Sequence, residues 1–368
     1  MRVIFSGGGT AGHVTPAIAI AEALIEKEKN CEILFIGREG GEENKAVEDR
    51  GFPIETLRIK GFERKINFTN IKNVFVAINA LNKAKSIIKD FSPDVVIGTG
   101  GYVCWPVLKS AAKLGIPTVI HESNASPGLV TKLLAPKCSR VLLNLKGSEK
   151  EFRRKDNIRI VGNPVREDFF SLNKGTARKK LGIKKNEFLI CSFGGSGGAE
   201  KLNEIMIELM YSHSTKNKRL KHVHSAGKRY FDEIKKAHPE LTRGYNGCLI
   251  KPYIDDMPSY ILAADIVISR CGAMTLAELS AAGSVAILIP SPNVTNNHQY
   301  KNALLATENS AAVMIEEKNL NLRRILDEIK RLESDSATRK TLSENMTSLC
   351  NRNSKNDIAD EIINLTKK

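Results

Sequence analysis

Aromatic residues are scarce in this 368-residue chain: they fill 6% of positions, and Trp105 is the one tryptophan. No basic segment is interleaved with them, and readers of single-stranded nucleic acid need rings beside their cations, so nucleic acid is not an expected partner. The seven cysteines (Cys31, Cys104, Cys138, Cys191, Cys248, Cys271, Cys350) are odd in number and include no C-x-x-C pair. That excludes a disulfide framework and a zinc site, and leaves small buried hydrophobes. No apolar run approaches the roughly 20 residues that cross a bilayer, and no signal-peptide pattern precedes the first strand-like segment, so a cytosolic chain is expected. Asp-x-Asp triplets are also missing, since Asp255 and Asp256 are adjacent. A diphosphate clamped by a divalent cation is therefore not expected, and the reading carries no metal and no cofactor.

What is present is positive charge, +15 overall, with 42% hydrophobic and 26% charged residues. Such a balance fits a folded protein with an anionic partner; the charge alone does not choose among nucleic acid, acidic headgroups and phosphorylated substrates, and the scarcity of aromatics disfavours the first. The length suits two domains better than one. Apolar runs alternate with helical segments, first at 2–6, 32–36, 54–58, 95–98, 118–121, 140–143 and 159–161, then at 188–193, 222–225, 248–251, 266–269, 285–289 and 312–315. Alternation of this kind predicts an α/β chain with two doubly wound parallel sheets, Rossmann-like and facing a cleft. The joint is Val161-Gly162-Asn163-Pro164-Val165-Arg166, where Gly and Asn-Pro interrupt regular structure. Domains are expected at 1–162 and 163–340, with a helical segment at 341–368 returning to the first domain.

The richest stretch is Phe5-Ser6-Gly7-Gly8-Gly9-Thr10-Ala11-Gly12-His13-Val14-Thr15-Pro16. It reads as strand, glycine turn and helix, with Pro16 opening the helix. Helix amides and bare glycine backbone make an anion and sugar docking site. His13 follows Gly12; it either hydrogen-bonds the turn or serves as a base, for which imidazole is suited. Gly7-x-Gly9-x-x-Gly12 also spells a dinucleotide fingerprint, although only Glu39 could supply the carboxylate that ends the second strand. The turn recurs as Gly194-Gly195-Ser196-Gly197-Gly198-Ala199 before a helical run, a diphosphate cradle by the same reasoning.

Other strand ends offer polar groups. Gly98-Thr99-Gly100-Gly101-Tyr102 supplies amides and a phenol; His121-Glu122-Ser123-Asn124 supplies a carboxylate and an amide that could equally be loop hydrogen-bonders. Glu278, in Ser269-Arg270-Cys271-Gly272-Ala273-Met274-Thr275-Leu276-Ala277-Glu278, either complements a helix dipole or accepts ribose hydroxyls. Backbone around Ile254 could read a base edge, and the amide-rich 296–302 stretch, with Gln299, suits sugar hydroxyls. Residues 70–90 carry Ile71, Val74, Phe75, Ile78 and Leu81 at helical spacing among lysines, with Phe62, Arg64, Lys65 and Phe68 upstream. That stripe is either a core face or a surface resting on an anionic leaflet.

Taken together, 8–17, 98–102, 121–124, 162–166, 194–199 and 298–303 resemble the bacterial GT-B glycosyltransferases that add N-acetylglucosamine to undecaprenyl-diphospho-muramoylpentapeptide in peptidoglycan synthesis. The motifs fall in family order from residue 5 to about residue 315. The resemblance implies an inverting, metal-independent enzyme on the cytoplasmic side of the inner membrane. Its donor, UDP-N-acetylglucosamine, would lie in the C-terminal domain and its lipid-linked acceptor on the N-terminal domain. Thr10, Ala11 and Gly12 would border the donor sugar and diphosphate, with Tyr102 nearby and Asn124 approaching the sugar. Arg166 and Ser196 would meet the phosphates, Ile254 the uracil, Ala273, Met274, Thr275, Leu276, Ala277 and Glu278 the nucleoside, and Gln299 the N-acetylglucosamine. His13 is the expected catalytic base, with Glu122 in reserve. The family usually has Gln at the position of Gly197 and Ser at that of Cys271. Alternatives are another UDP-sugar enzyme of the same fold (an epimerase or glycolipid transferase), a nicotinamide dehydrogenase and a non-enzymatic binder.

Overall fold

The computed structural model describes residues 1–9, 11–59, 68–214 and 219–367. These fall into two compact units, Met1–Val165 with Asn353–Lys368, and Arg166–Arg352.

The first unit is built on seven parallel strands: β1 Arg2–Gly7, β2 Glu32–Arg38, β3 Ile54–Leu57, β4 Val95–Gly100, β5 Thr118–Glu122, β6 Arg140–Leu143 and β7 Ile158–Ile160, ordered β3-β2-β1-β4-β5-β6-β7. Such strands are covered on both faces, so they read as unbroken apolar runs, and their period of two divides the side chains between two cores. Val3, Phe5, Val95, Ile97, Val119 and Leu142 face one core, with Ala17, Ala21 and Leu24 of helix Ala11–Lys27. Ile4, Val96, Ile120, Val141 and Leu143 face the other, beneath helices Phe68–Phe91 and Cys104–Lys113. Helix Ser354–Thr366 seals the first core with Ile358, Ala359, Ile362 and Ile363.

Six parallel strands make the second unit: β8 Phe188–Phe193, β9 Leu220–Ser225, β10 Cys248–Lys251, β11 Ile266–Ser269, β12 Ala286–Leu288 and β13 Ala312–Met314, ordered β10-β9-β8-β11-β12-β13. Ile190, Ile266, Ile268 and Ile287 pack against Leu202, Met206 and Leu209 of helix Glu200–Ser214. In each sheet the first strand lies between its sequence successor and a later strand, so the order reverses beside β1 and beside β8. Open α/β sheets bind ligands at the carboxyl ends of strands flanking such a reversal.

Two local expectations change. Pro16 lies inside helix Ala11–Lys27 rather than at its start, because the turn at Gly9 (φ +85°) has already reversed the chain by residue 11. The proline then withholds one amide near the helix's N-terminal end. In helix Phe68–Phe91 the buried face falls to Ala77, Ala80, Ala84 and Ile88, whereas Phe75 and Ile78 are 68% and 48% exposed. The side chains of Phe68, Ile71, Lys72 and Val74, and the whole of Phe62, Arg64 and Lys65, lie outside what is described.

Candidate active site

At the reversal point of the first sheet, the turns after β1 and β4 pack backbone to backbone. Gly8 N–H donates to the Gly100 carbonyl (3.3 Å). A Cβ on Gly101 would sit 2.2 Å from the Gly8 oxygen, and one on Gly7 would sit 2.1 Å from Thr99 Oγ1. Glycine is thus required by proximity as well as by the left-handed φ of Gly9, Gly100 and Gly101. The His13 ring lies against Gly100, whose absent Cβ would come within 2.5 Å of His13 Cδ2. His13 Nδ1 is 2.9 Å from the Gly8 carbonyl. A carbonyl only accepts, so Nδ1 carries the proton and, in the neutral ring, Nε2 is the nitrogen able to take one. Thr99 Oγ1 donates to the His13 carbonyl (2.7 Å), tying the helix to β4. Tyr102 is half-buried against the second core of this unit. Gly12 is exposed; Thr10 lies outside the described residues, and of Ala11 only its place at the start of the helix is described.

Glu122, buried at the end of β5, has both carboxylate oxygens engaged. Oε1 accepts from Asn124 N and Asn124 Nδ2 (both 3.1 Å), and Oε2 from Gly128 N (3.0 Å) and Thr131 Oγ1 (2.8 Å). Four donors saturate its lone pairs, so the carboxylate's evident work is to fold the loop that presents Asn124. His121 donates from Nε2 to the Gly162 carbonyl (3.0 Å), and burial lowers its pKa.

In the second unit a cavity of about 530 Å³ opens between the carboxyl ends of β8 and β11, lined among others by Gly194, Gly198, Ala199, Arg270, Ser291 and Gln299. The turn from Gly194 to Ala199 feeds helix Glu200–Ser214. Gly195 (φ +91°) and Gly198 (φ +75°) take left-handed conformations, and Ser196 is exposed. Gln299 Oε1 accepts the Ser291 amide (2.9 Å), which orients its NH₂. Ile254 is buried after β10, where its side chain anchors the loop backbone. Ala273, Met274, Thr275, Leu276 and Ala277 form the first turns of helix Ala273–Ala282, which has no acid in its first turn. Glu278 therefore lies too far along for the dipole role; it faces Arg166 Nη2 at 3.6 Å instead. Burial pushes its carboxyl up to about 7, with the Arg166 charge opposing.

The glycosyltransferase family 28 N-terminal domain model matches residues 3–143, and the family's C-terminal domain model matches residues 189–362. The chain belongs to glycosyltransferase family 28. Like its family it is a glycosyltransferase, with two α/β parallel-sheet units. A relative from a Thermoanaerobacter species, named UDP-N-acetylglucosamine--N-acetylmuramyl-(pentapeptide) pyrophosphoryl-undecaprenol N-acetylglucosamine transferase, is 40% identical over 368 residues, covering 100% of this chain and 99% of its own. A protein of the same name from Acetivibrio thermocellus is 42% identical over 349 residues, 95% of this chain and 94% of that one. Acinetobacter baumannii MurG, solved crystallographically, has a TM-score of 0.75 at 25% identity, over 99% of both chains. The S. aureus MnaA-UDP co-structure shares the fold, with a TM-score of 0.71 at 14% identity over 100% of this chain and 98% of that one.

Where the family 28 resemblance anticipates Gln, Gly197 is exposed, lacks a left-handed φ and has nothing within 4 Å of a built Cβ, so a side chain would fit there. Cys271 is fully buried, and burial raises its thiol pKa. Sequence reasoning missed Arg270, which is buried, donates from Nη1 to the Ile289 carbonyl (3.2 Å) and pairs through Nη2 with Glu317 on the cavity wall. An arginine ending an apolar strand was the available signal.

Proposed function

We propose that this family 28 enzyme transfers N-acetylglucosamine from UDP-N-acetylglucosamine to the 4-hydroxyl of the muramoyl sugar of undecaprenyl-diphospho-muramoylpentapeptide, with inversion and without a metal. The observation that carries the reading is end-to-end likeness, at about 40% identity, to relatives that bear this transfer in their names. Groups within each unit, taken separately, support a mechanism. The acceptor hydroxyl attacks the anomeric carbon as UDP leaves; His13 Nε2 takes the proton, and Nδ1, still donating to Gly8, steadies the imidazolium. Charge growing on the diphosphate meets the amides of the 194–199 turn, the N-terminus of helix Glu200–Ser214, Ser196 and Arg166.

In this reading Ile254 presents backbone to uracil, residues Ala273–Glu278 hold the nucleoside, and Glu278 accepts ribose hydroxyls. Gln299 takes the acetamido sugar through the NH₂ that Ser291 orients. Thr10, Ala11, Gly12, Tyr102 and Asn124 border the sugars, and Glu122 keeps their loop in shape. A lipid-linked acceptor calls for a protein resting on the anionic leaflet at the cytoplasmic side of the inner membrane. Among the described residues no helix is long and apolar enough to cross a membrane. Support for a peripheral association comes from helices Phe68–Phe91 and Leu129–Leu134, which both contribute to one core yet expose Phe75, Ile78, Leu129 (67%) and Leu133 (59%), and which also carry Lys83, Lys85, Lys89 and Lys132.

Transfer of labelled N-acetylglucosamine from UDP to a lipid-linked muramoyl-peptide, run in chelator, tests the reaction; no product would sink it. His13→Ala should cut turnover by roughly 10²–10⁴-fold and leave donor affinity in place. Unchanged turnover would remove His13 from the role of base.

A further inference from the structure

Beneath the 194–199 turn lies a buried polar chain that the mechanism does not use. Ser192 on β8 and His224 on β9 are register partners, and both are fully buried, as is His222. Ser192 Oγ lies 2.7 Å from His222 Nε2 and 2.8 Å from His224 Nδ1. His224 Nε2 is 2.9 Å from Asn203 Oδ1, and Asn203 Nδ2 donates to the Ala226 carbonyl at 3.0 Å.

The direction of every bond follows from its last member. The Ala226 carbonyl only accepts, so Asn203 presents NH₂ to it and oxygen to His224, whose Nε2 must then carry the proton. Burial holds His224 near 4, so the ring is neutral and its Nδ1 accepts from the Ser192 hydroxyl. Ser192 Oγ in turn accepts from His222 Nε2–H. Donation runs one way, from His222 through Ser192, His224 and Asn203 to the oxygen of Ala226.

That oxygen is the surface against which the turn rests. A Cβ on Gly198 would come within 2.1 Å of it, and a Cβ on Gly227 within 2.5 Å of Gly198 N. Asn203 also begins the helix that the turn feeds, its amide donating to the Ala199 carbonyl (2.8 Å). The same side chain thus fixes the end of the turn and the floor under it.

We propose that Asn203, His224 and Ser192 are positioning residues for the donor's diphosphate: their directed hydrogen bonds set the Ala226 carbonyl, seat Gly198 on it, and so hold the turn's amides in their anion-binding arrangement. The proposal rests on the reading that this turn receives the diphosphate. None of these side chains touches substrate.

The test compares two ligands that differ only in phosphate. UDP and uridine are titrated by calorimetry against the full chain, against Asn203→Leu, which keeps volume and removes both hydrogen bonds, and against Ser192→Ala, which removes the central hydroxyl with little change in packing. Gly198→Ala, which displaces the turn directly, sets the reference signature. The expected result is a loss of UDP affinity of about tenfold in each variant, as for one lost buried hydrogen bond, with uridine affinity held within about twofold. If the unaltered protein binds UDP no more tightly than uridine, the diphosphate reading of the turn fails. If it does discriminate but Ser192→Ala and Asn203→Leu discriminate equally well, or lose both ligands in parallel, the positioning role is overturned.

Discussion

The His13–Gly8 and Glu278–Arg166 pairs show how single contacts set chemistry. A backbone carbonyl chooses the tautomer of His13, and that choice decides which nitrogen can act as a base. Glu278 carries the opposite lesson: its partner is near, yet burial wins and raises its pKa from 4.5 to about 7. The folded chain then keeps a proton that the unfolded chain releases, so this group makes stability fall as pH rises from about 4.5 to about 7. Glu278→Gln should remove that slope. Denaturant titrations of both proteins should show the wild-type advantage shrinking by about 1.4 kcal/mol per pH unit across that window; a constant difference would show that the carboxyl titrates normally. At this scale the sequence was most readable where residue types are unusual, as in the four glycines before His13. It was least readable for Ser192, His222, His224 and Asn203. Polar residues inside apolar strands leave no mark on periodicity, and their partners come from a neighbouring strand and a helix.

Elements were easier to read than contacts. Each of the thirteen strands among the described residues coincides with an expected apolar run, because a strand buried on both faces must be apolar throughout. Faces of helices are harder. In Phe68–Phe91 the large apolar residues and the alanines both recur at helical spacing, and the alanines face the core. Their small size admits the close approach of helix Cys104–Lys113, and Phe75 and Ile78 are left outside. If those side chains enter a leaflet, replacing Phe75, Ile78, Leu129 and Leu133 with serine should weaken binding to vesicles rich in anionic lipid by tenfold or more, since each buried side chain contributes about 1.5–3 kcal/mol. Their exposure means that folding stability should change little. Equal flotation of the altered and unaltered proteins with such vesicles would refute the membrane role.

For the whole molecule, the decisive feature is that residues 353–366 complete the first core. Ile358, Ala359, Ile362 and Ile363 are buried there, and ion pairs Lys27–Asp360 (2.6 Å), Lys355–Glu26 (2.9 Å) and Arg140–Glu361 (3.1 Å) link the helix to its neighbours. The exposed pairs contribute little; the three isoleucines, at about 1.5–3 kcal/mol each, amount to much of a domain's usual stability margin. Truncation after Arg352 should therefore leave the first unit open to limited proteolysis while the second resists it, and equal resistance of both would contradict this account. A helical segment at 341–368 returning to the first domain was expected from the fold that the resemblance implies. The helix's own pattern gave no destination, because it says that a face is covered but not by what.

The order of synthesis gives that destination a further meaning. On the ribosome, the lobe made first must wait, its greasy seam unzipped, until the other lobe has been translated and the closing segment emerges from the exit tunnel. Nascent molecules of this enzyme should accordingly dwell on holdase chaperones while the second lobe is made, and release should coincide with emergence of residues 353–366 rather than with completion of the first lobe's strands.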